Sequence, residues 1–341
     1  MNITRIGLDL AKTVFQLHGV DEHEKVVLRR QLRRRQMLVF FAKLPPCLIG
    51  MEACASSHYW ARELVKHGHT VKLIAPQFVK PYVKSQKNDA NDAEAICEAV
   101  SRASMRFVAI KTIEQQDIQV VHRVRSELVK QRTAKVNQIR GLLGEYEIEV
   151  AQRVDNLRKR LPEILEEGGN PLTDRFRRLL NGLREDLVAL DGRIDEMDKE
   201  IIQIAGDNSA AQRLQQIPGI GPVTATALVA AIGDASLFKR GRDLAAWLGL
   251  TPRQHSSGGK ERLLGISKRG DSYLRTLLIH GARAVLRCAD KKEDPRSCWL
   301  KALSMRRNKN IAAVALANKN ARIVWALLSK EVDYQPSHLV A

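Results

Sequence analysis

Residues 87–94 read KNDANDAE. Asp89 and Asp92 stand three residues apart, and Ala93, Ile96, Cys97, Ala99 and Val100 recur behind them at helical spacing. A helix that begins near Asn88 carries both carboxylates on one face of its first turn. Like charges that close repel, and a solvated helix gains nothing from pairing them. A divalent cation resolves the repulsion, and hard Mg²⁺ takes a few carboxylate oxygens together with waters and substrate phosphates. On its own the pair reads more readily as an ordinary helix start, where the dipole favours acids. Two acids earlier in the chain reverse that weighting.

Upstream, residues 3–9 form a strand pattern that ends in Gly-Leu-Asp, residues 14–20 a second and residues 25–32 a third, joined by short turns. Three such strands make an antiparallel meander. A short helix at 37–42 follows, then an apolar strand at 47–51 ending in Glu52, a helix at 57–67 and a strand at 71–74. The helix that opens with Asp89 completes the unit. Three antiparallel strands, then strand–helix–strand, then helix, is the order of the RNase H-like fold. In that fold an acid lies on the first strand, another ends the fourth, and the last helix brings one or two more. Here those positions hold Asp9, Glu52, Asp89 and Asp92. An acid at the end of a buried strand needs a partner or a metal to offset its desolvation, so the four together point to a metal site.

The chain has 341 residues, enough for two or three domains with real cores. An apolar content of 44% argues against wholesale disorder. The formal net charge is +18, from 56 Lys plus Arg against 38 Asp plus Glu, which implies a polyanionic partner. That charge is uneven: +6 over residues 1–105, −1 over 106–208 and +13 over 209–341. The polyanion is therefore expected mainly against the last third, with a second contact near the N-terminus. Five cysteines without a CxxC pair read as reduced thiols of a cytoplasmic protein, not as a disulfide frame or zinc site. With no 18-residue apolar run and no signal-peptide core, nothing is expected to span a membrane.

Residues 114–150 are a long helical stretch on which Arg123, Arg125, Lys130, Arg132, Lys135 and Arg140 surround a ragged apolar stripe; these six are expected to meet a nucleic-acid backbone. From Phe176 through Leu180, Leu183, Leu187, Leu190, Ile194, Met197, Ile201 and Ile204 the apolar residues step by four and three, an a/d heptad seam. The regularity favours a coiled coil with a partner chain over a hairpin within one chain. Further on, LQQIPGIGPVTATALVAAIG (214–233) resembles a helix–hairpin–helix whose glycines admit a phosphate to backbone N–H groups; the same segment also reads as a plain helical corner. The loop RQHSSGGKERL (253–263) holds Ser256 and Ser257 among Arg253, Lys260 and Arg262, with Lys268 and Arg269 just beyond. Such a loop is most often merely flexible; the sharper reading is a serine nucleophile whose target phosphate is neutralised by those cations.

Six segments, IGLDLAK (6–12), GMEACASSHYW (50–60), KNDANDAEAI (87–96), IPGIG (217–221), GLTPRQHSSGG (249–259) and ISKRGDSYLRTLL (266–278), together resemble the DEDD transposases of the insertion-sequence one-ten family, in order and across nearly the whole chain. The resemblance implies an α/β RNase H-like (RuvC-like) metal-binding domain at 1–105, a long helical coiled coil at 106–208, and an all-α transposase domain with a catalytic serine at 209–341. It implies Asp9, Glu52, Asp89 and Asp92 as the Mg²⁺-binding acids and Ser257, with Ser256 adjacent, as the residue that links covalently to DNA. It further implies a bacterial cytoplasmic protein that meets the nucleoid when it acts, a homodimer or homotetramer, DNA at element ends and target as substrate, and a structured guide RNA encoded by the element. Two alternatives compete with it: a Holliday-junction-type nuclease using water, and a non-catalytic nucleic-acid-binding protein.

Overall fold

The computed structural model describes residues 2–84 and 88–336, so Lys87 of the opening motif lies outside the described residues. Contacts divide the chain into two compact units. One comprises the residues up to Ile113 together with Ile232–Leu237, the other Glu114–Ala231 and the residues from Phe238 on.

The first unit is built on a six-stranded sheet. Its strands are β1 (Arg5–Leu10), β2 (Val14–Val20), β3 (Val26–Arg33), β4 (Leu48–Glu52), β5 (Thr70–Ile74) and β6 (Phe107–Val108), lying side by side in the order β3-β2-β1-β4-β5-β6. β1, β2 and β3 form the expected antiparallel meander; β4 runs parallel to β1, and β5 parallel to β4. The two-residue β6 closes the edge antiparallel to β5; it is too short to leave a period in the sequence. The helices are α1 (Met37–Phe41), α2 (Ser57–Lys66), α3 (Pro76–Val79) and α4 (Asp89–Val100). Ile6 and Leu8 of β1 are fully buried with Phe15, Met51, Trp60 and Leu64 in one apolar cluster, to which α2 contributes. A second cluster joins Ile74 and Val79 to Ile96, Ala99 and Val100 of α4. This mixed α/β arrangement is the one expected for an RNase H-like domain.

Two glycines set how close α4 comes to the sheet. A Cβ on Gly7 would lie 2.0 Å from the Ala93 carbonyl oxygen and 2.4 Å from the Cys97 nitrogen. A Cβ on Gly50 would lie 2.8 Å from Cβ of Val100. Gly within a strand weakens it and marks a place where another backbone approaches; here that backbone is α4.

The second unit begins with α5 (Ile113–Gly144), α6 (Val154–Glu166) and α7 (Asp174–Asp207). Thr173 caps α7 by accepting from the Phe176 N–H at 3.2 Å. Every seventh residue of the heptad seam, Leu180, Leu187, Ile194 and Ile201, is buried within this one chain. Leu180 and Leu187 pack with Val136, Ile139 and Leu143 of α5 and with Leu157 and Leu161 of α6. The alternate row, Leu183, Leu190, Met197 and Ile204, is half-buried. The expectation that a partner chain fills the seam is thus corrected for its buried row. A heptad repeat records that a helix faces it, not which chain supplies that helix. Ion pairs Arg125–Asp198 (2.5 Å), Arg132–Asp191 (3.3 Å) and Lys135–Asp186 (2.8 Å) descend along α7 as they ascend α5, so the two helices run antiparallel.

The rest of this unit comprises α8 (Ser209–Gln215), α9 (Pro222–Ile232), α10 (Gly241–Trp247), a two-stranded hairpin of β7 (Pro252–Gln254) and β8 (Leu263–Ile266), α11 (Ser272–Cys288), α12 (Pro295–Arg306) and α13 (Lys309–Lys330). α13 is apolar enough and long enough to resemble a membrane span, but Ala313, Leu316, Ala317, Ala321 and Val324 are buried in the domain core together with the amide of Asn320. In the IPGIG turn, Gly219 (φ +92°) packs backbone to backbone on Gly281 of α11, whose added Cβ would come 1.8 Å from the Gly219 oxygen. That glycine is committed to packing, whereas an added Cβ at Gly221 meets nothing within 4 Å. His122 of α5 is buried between two partners: Nε2 lies 2.9 Å from the Thr226 hydroxyl and Nδ1 3.0 Å from the Tyr273 hydroxyl. Thr226 already donates to the Pro222 carbonyl at 2.8 Å, so Nε2 carries the proton and Nδ1 accepts from Tyr273. Burial, with Arg125 adding to it, pushes His122 down to about 4 and keeps it neutral.

Gly7→Ala should destabilise the protein by about 1–3 kcal/mol, because an added methyl must push α4 off β1. Gly192→Ala, on an exposed stretch of α7 with open space around it, should stabilise by up to about 1 kcal/mol through helix propensity. Urea denaturation of the two variants checks both signs.

Candidate active site

Register places the first two acids side by side. Leu8 of β1 pairs with Met51 of the parallel β4, and Asp9 and Glu52 are the next residue on each strand. Both are half-buried. α4 supplies the other two. Asn88 caps it, its side-chain oxygen accepting from the Asn91 N–H at 2.9 Å, so the helix starts where the sequence suggests and Asp89 and Asp92 occupy its first turn. The helix dipole favours negative charge there. Farther along α4, Glu94 pairs with Lys84 at 2.9 Å.

The close approach at Gly7 then brings the three elements together. One carboxylate oxygen each from Asp9, Asp89 and Asp92 lies within 4.8 Å of the others. Glu52 is not in that innermost trio, but its charge reaches Asp9. Burial, then the carboxylates of Asp89, Asp92 and Glu52, push the Asp9 carboxyl up to about 6; a hydrogen bond from the Leu10 backbone opposes them. Burial, then Glu52 and Asp9, raise the neighbouring Cys54 thiol as well. The donors are all anionic oxygens, which suits a hard divalent cation rather than a soft one. The raised Asp9 carboxyl reflects the same repulsion that such a cation relieves. All four acids are legible in the sequence, but the glycines that let them meet are not; a lone Gly inside the strand IGLDL is the available signal.

The serine segment lies in the second unit and is more ordered than a flexible loop. His255 N–H donates to the Arg262 carbonyl (2.9 Å) and Lys260 N–H to the Ser257 carbonyl (3.1 Å). Gly258 and Gly259, both at positive φ (+57° and +77°), turn the chain between Ser257 and Lys260. Two consecutive residues at positive φ are the requirement of a tight hairpin turn, hence the glycine pair. The two serines differ in their surroundings. The Ser256 hydroxyl accepts from Gln254 Nε2 at 2.9 Å and from the Arg262 N–H at 3.3 Å. Ser257 is exposed at the turn, and its hydroxyl makes no hydrogen bond among the described residues. Gly249 and Gly270 hold the 266–270 segment against 247–251: an added Cβ on Gly249 would lie 2.0 Å from the Arg269 oxygen, and one on Gly270 1.9 Å from the Trp247 oxygen. Lys268 and Arg269 are thereby fixed at the base of the hairpin. Arg253, Lys260, Arg262, Lys268 and Arg269 are all exposed, and none pairs with a carboxylate among the described residues.

The six cations of α5 are placed differently. Arg125, Arg132 and Lys135 pair with acids of α7. Lys130 pairs with Glu127 at 3.5 Å, and Arg140 donates to the carbonyls of Ala151 and Arg153 at 2.7 Å each. Arg123 alone among the six is exposed with no such partner.

An α/β sheet that gathers carboxylates beneath a helix start defines an acid-cluster domain suited to a divalent metal. Comparison with known proteins gives the family. A transposase model of the DEDD IS110 type matches residues 6–148, and one for the transposase IS116/IS110/IS902 family matches residues 211–296. The chain is 58% identical over 337 residues to a probable family 20 transposase of Pseudomonas aeruginosa, covering 98% of this chain and 100% of that protein. It is 51% identical to the transposase for insertion sequence element IS1111A of Coxiella burnetii, covering 98% and 92%. It is 43% identical to the transposase for insertion sequence element IS1328 of Yersinia enterocolitica, covering 96% and 98%. The chain belongs to the IS116/IS110/IS902 transposase family, and is an enzyme that cuts and rejoins DNA.

The Asp9 carboxyl carries a pH signature. Its folded value of about 6 lies above the unfolded value near 3.8, so between those limits the folded state holds more protons. Stability of the metal-free protein therefore falls as pH rises from about 4 to about 6. Asp9→Asn should raise the unfolding temperature at pH 7, with the gain vanishing by about pH 4. A divalent cation should raise the wild type more than the variant. Thermal unfolding across this range, with and without chelator, checks the sign; parallel curves for the two proteins would contradict it.

Proposed function

We propose that this transposase uses Asp9, Glu52, Asp89 and Asp92 to hold Mg²⁺ against the scissile phosphate and Ser257 to attack it. The observation that carries the serine assignment is the contrast at the hairpin turn: Ser256 spends its hydroxyl inside the hairpin, while that of Ser257 is exposed and uncommitted among the described residues. Mg²⁺ supplies neutralisation of the charge that builds on the phosphoryl oxygens. Ser257 Oγ forms a bond to phosphorus as the bond to the leaving strand's oxygen breaks, and that oxygen takes up the proton. Arg253, Lys260, Arg262, Lys268 and Arg269 stabilise the pentavalent phosphate. In rejoining, a strand hydroxyl attacks the phosphoserine and Ser257 departs as the alcohol. The phosphoserine conserves the cleaved linkage, so no nucleotide hydrolysis is required.

On this reading residues 1–105 form the metal-binding module, 106–208 a helical connector with coiled-coil character, and 209–341 the transposase module with its helix–hairpin–helix-like turn. The acids and Ser257 belong to different compact units, which suits an assembly that combines one chain's acids with another chain's serine in a homodimer or homotetramer. An element-encoded guide RNA would select donor and target DNA in the cytoplasm, at the nucleoid. The exposed residues Leu179 (65%), Val188 (62%) and Ile202 (59%) of α7 offer apolar surface for self-association.

Ser257→Ala should keep its fold and its nucleic-acid binding but form no covalent adduct with a cleaved strand, whereas Ser256→Ala should retain the adduct. Denaturing electrophoresis of labelled DNA reads both. Cleavage by wild type without an adduct would favour the acid cluster acting with water as the nucleophile.

A further inference from the structure

The basic turn Arg306-Arg307-Asn308-Lys309 plays no part in the site above. It joins α12 to α13 beside a cleft of about 860 Å³. Arg283 and Arg287 line one wall from α11, four residues apart and therefore on one face of that helix. Lys301 of α12 and Lys309 at the start of α13 also line the cleft. Asp290 is the one carboxylate among the lining residues. None of these four cations forms an ion pair among the described residues; Arg283 donates to the Asn310 side-chain oxygen at 3.1 Å. The contrast with α5, three of whose six cations pair with acids of α7, is direct. Unpaired cations gathered around one cleft repel, and the arrangement costs stability unless a polyanion fills it. Met305 stands in the lining, 90% exposed, an apolar side chain presented to solvent amid charge. The Ser304 hydroxyl, also in the lining, is buried without a hydrogen-bond partner among the described residues.

We propose that the cleft between α11, α12 and the start of α13 binds a single-stranded stretch of nucleic acid, its phosphodiester backbone on Arg283, Arg287, Lys301 and Lys309 and an unpaired base against Met305. A groove of cations that tracks the backbone, with side chains that receive bases, is how unpaired strands are held. Methionine is among the residues that insert against base steps. The inference rests on the nucleic-acid reading of this chain but not on its serine or metal chemistry, and it adds a contact in α11–α13 remote in sequence from the serine hairpin. Unpaired DNA and unpaired RNA share the backbone chemistry that the cleft recognises.

The test uses the full chain and short labelled oligonucleotides: single-stranded DNA, single-stranded RNA and duplex DNA, titrated over a salt series. Arg283→Gln/Arg287→Gln and Lys301→Gln/Lys309→Gln are compared with a charge-matched control, Arg175→Gln/Lys199→Gln, on α7. Each cleft variant should lose roughly tenfold in single-strand affinity, and its salt slope should fall by roughly 1.4, for two phosphate contacts at about 0.7 each. The control and duplex binding should change by no more than about twofold. Loss on both DNA and RNA supports recognition of the shared backbone; loss on one alone supports the cleft and names its source. In the wild type, a strand carrying 5-iodouracil should crosslink within residues 280–310, a readout independent of how the variants fold. Cleft variants that match the control while wild type binds, with no crosslink there, overturn the cleft and leave the nucleic-acid reading intact. An equal loss on duplex overturns the single-strand assignment. A wild type that binds no nucleic acid removes both readings.

Discussion

The contact of α4 with β1 at Gly7 is the constraint on which the acid site depends. With hydrogen in place of a side chain, the helix backbone reaches the strand at Ala93 and Cys97, and the first turn of α4 is carried over the end of β1. Gly50 grants the same access at Val100. The energy for assembling three carboxylates against their mutual repulsion comes from the apolar contacts behind them. Ile96, Ala99 and Val100 bury against the sheet, and Asn88 fixes where the helix starts. The cost shows locally, in an Asp9 carboxyl raised by burial and by its neighbours. A site of this kind is strained electrostatically in the free protein, and a divalent cation returns that energy on binding.

Charge in the second unit serves two ends that composition cannot separate. Along α5, Arg125, Arg132 and Lys135 zip the helix to α7, and the basic residues there are part of the architecture. Around the serine hairpin and in the α11–α13 cleft, the cations face solvent without acidic partners among the described residues. The regional net charges of −1 and +13 follow this division: the middle third balances its cations internally, and the last third does not. Such a division lets one chain keep a tightly paired helical connector while offering a polyanion a surface elsewhere.

Much of the first unit is legible because its strands alternate or run apolar, are bounded by turns, and meet in a simple order. β2 is found at its expected limits, and β1, β3, β4 and β5 within two residues of theirs. The second unit was harder to read. α12 lacks a clean apolar stripe, since Arg296 and Ser297 are buried beside Leu300, so the cleft it helps to wall was invisible from sequence. The heptad of α7 is plain, but Leu180 and Leu187 of its buried row pack on α5 and α6 of the same chain. The glycines after Ser257 suggested flexibility, whereas they supply the positive φ values of a hairpin turn.

What the sequence determined by itself is the inventory and its order: four acids on the elements where a metal-binding α/β domain wants them, a serine pair ahead of two glycines, long amphipathic helices, and an excess of positive charge toward the end. Periodicity, capping and composition are local properties, and local physics writes them into the chain. Only the tertiary structure decided which groups share space. It brought Asp9, Asp89 and Asp92 within 4.8 Å, tied Arg125, Arg132 and Lys135 of α5 to α7, distinguished the surroundings of Ser257 from those of Ser256, and opened a basic cleft among α11, α12 and α13. Those outcomes turn on distances between residues far apart in sequence, set by how closely backbones pack, and no local pattern encodes them.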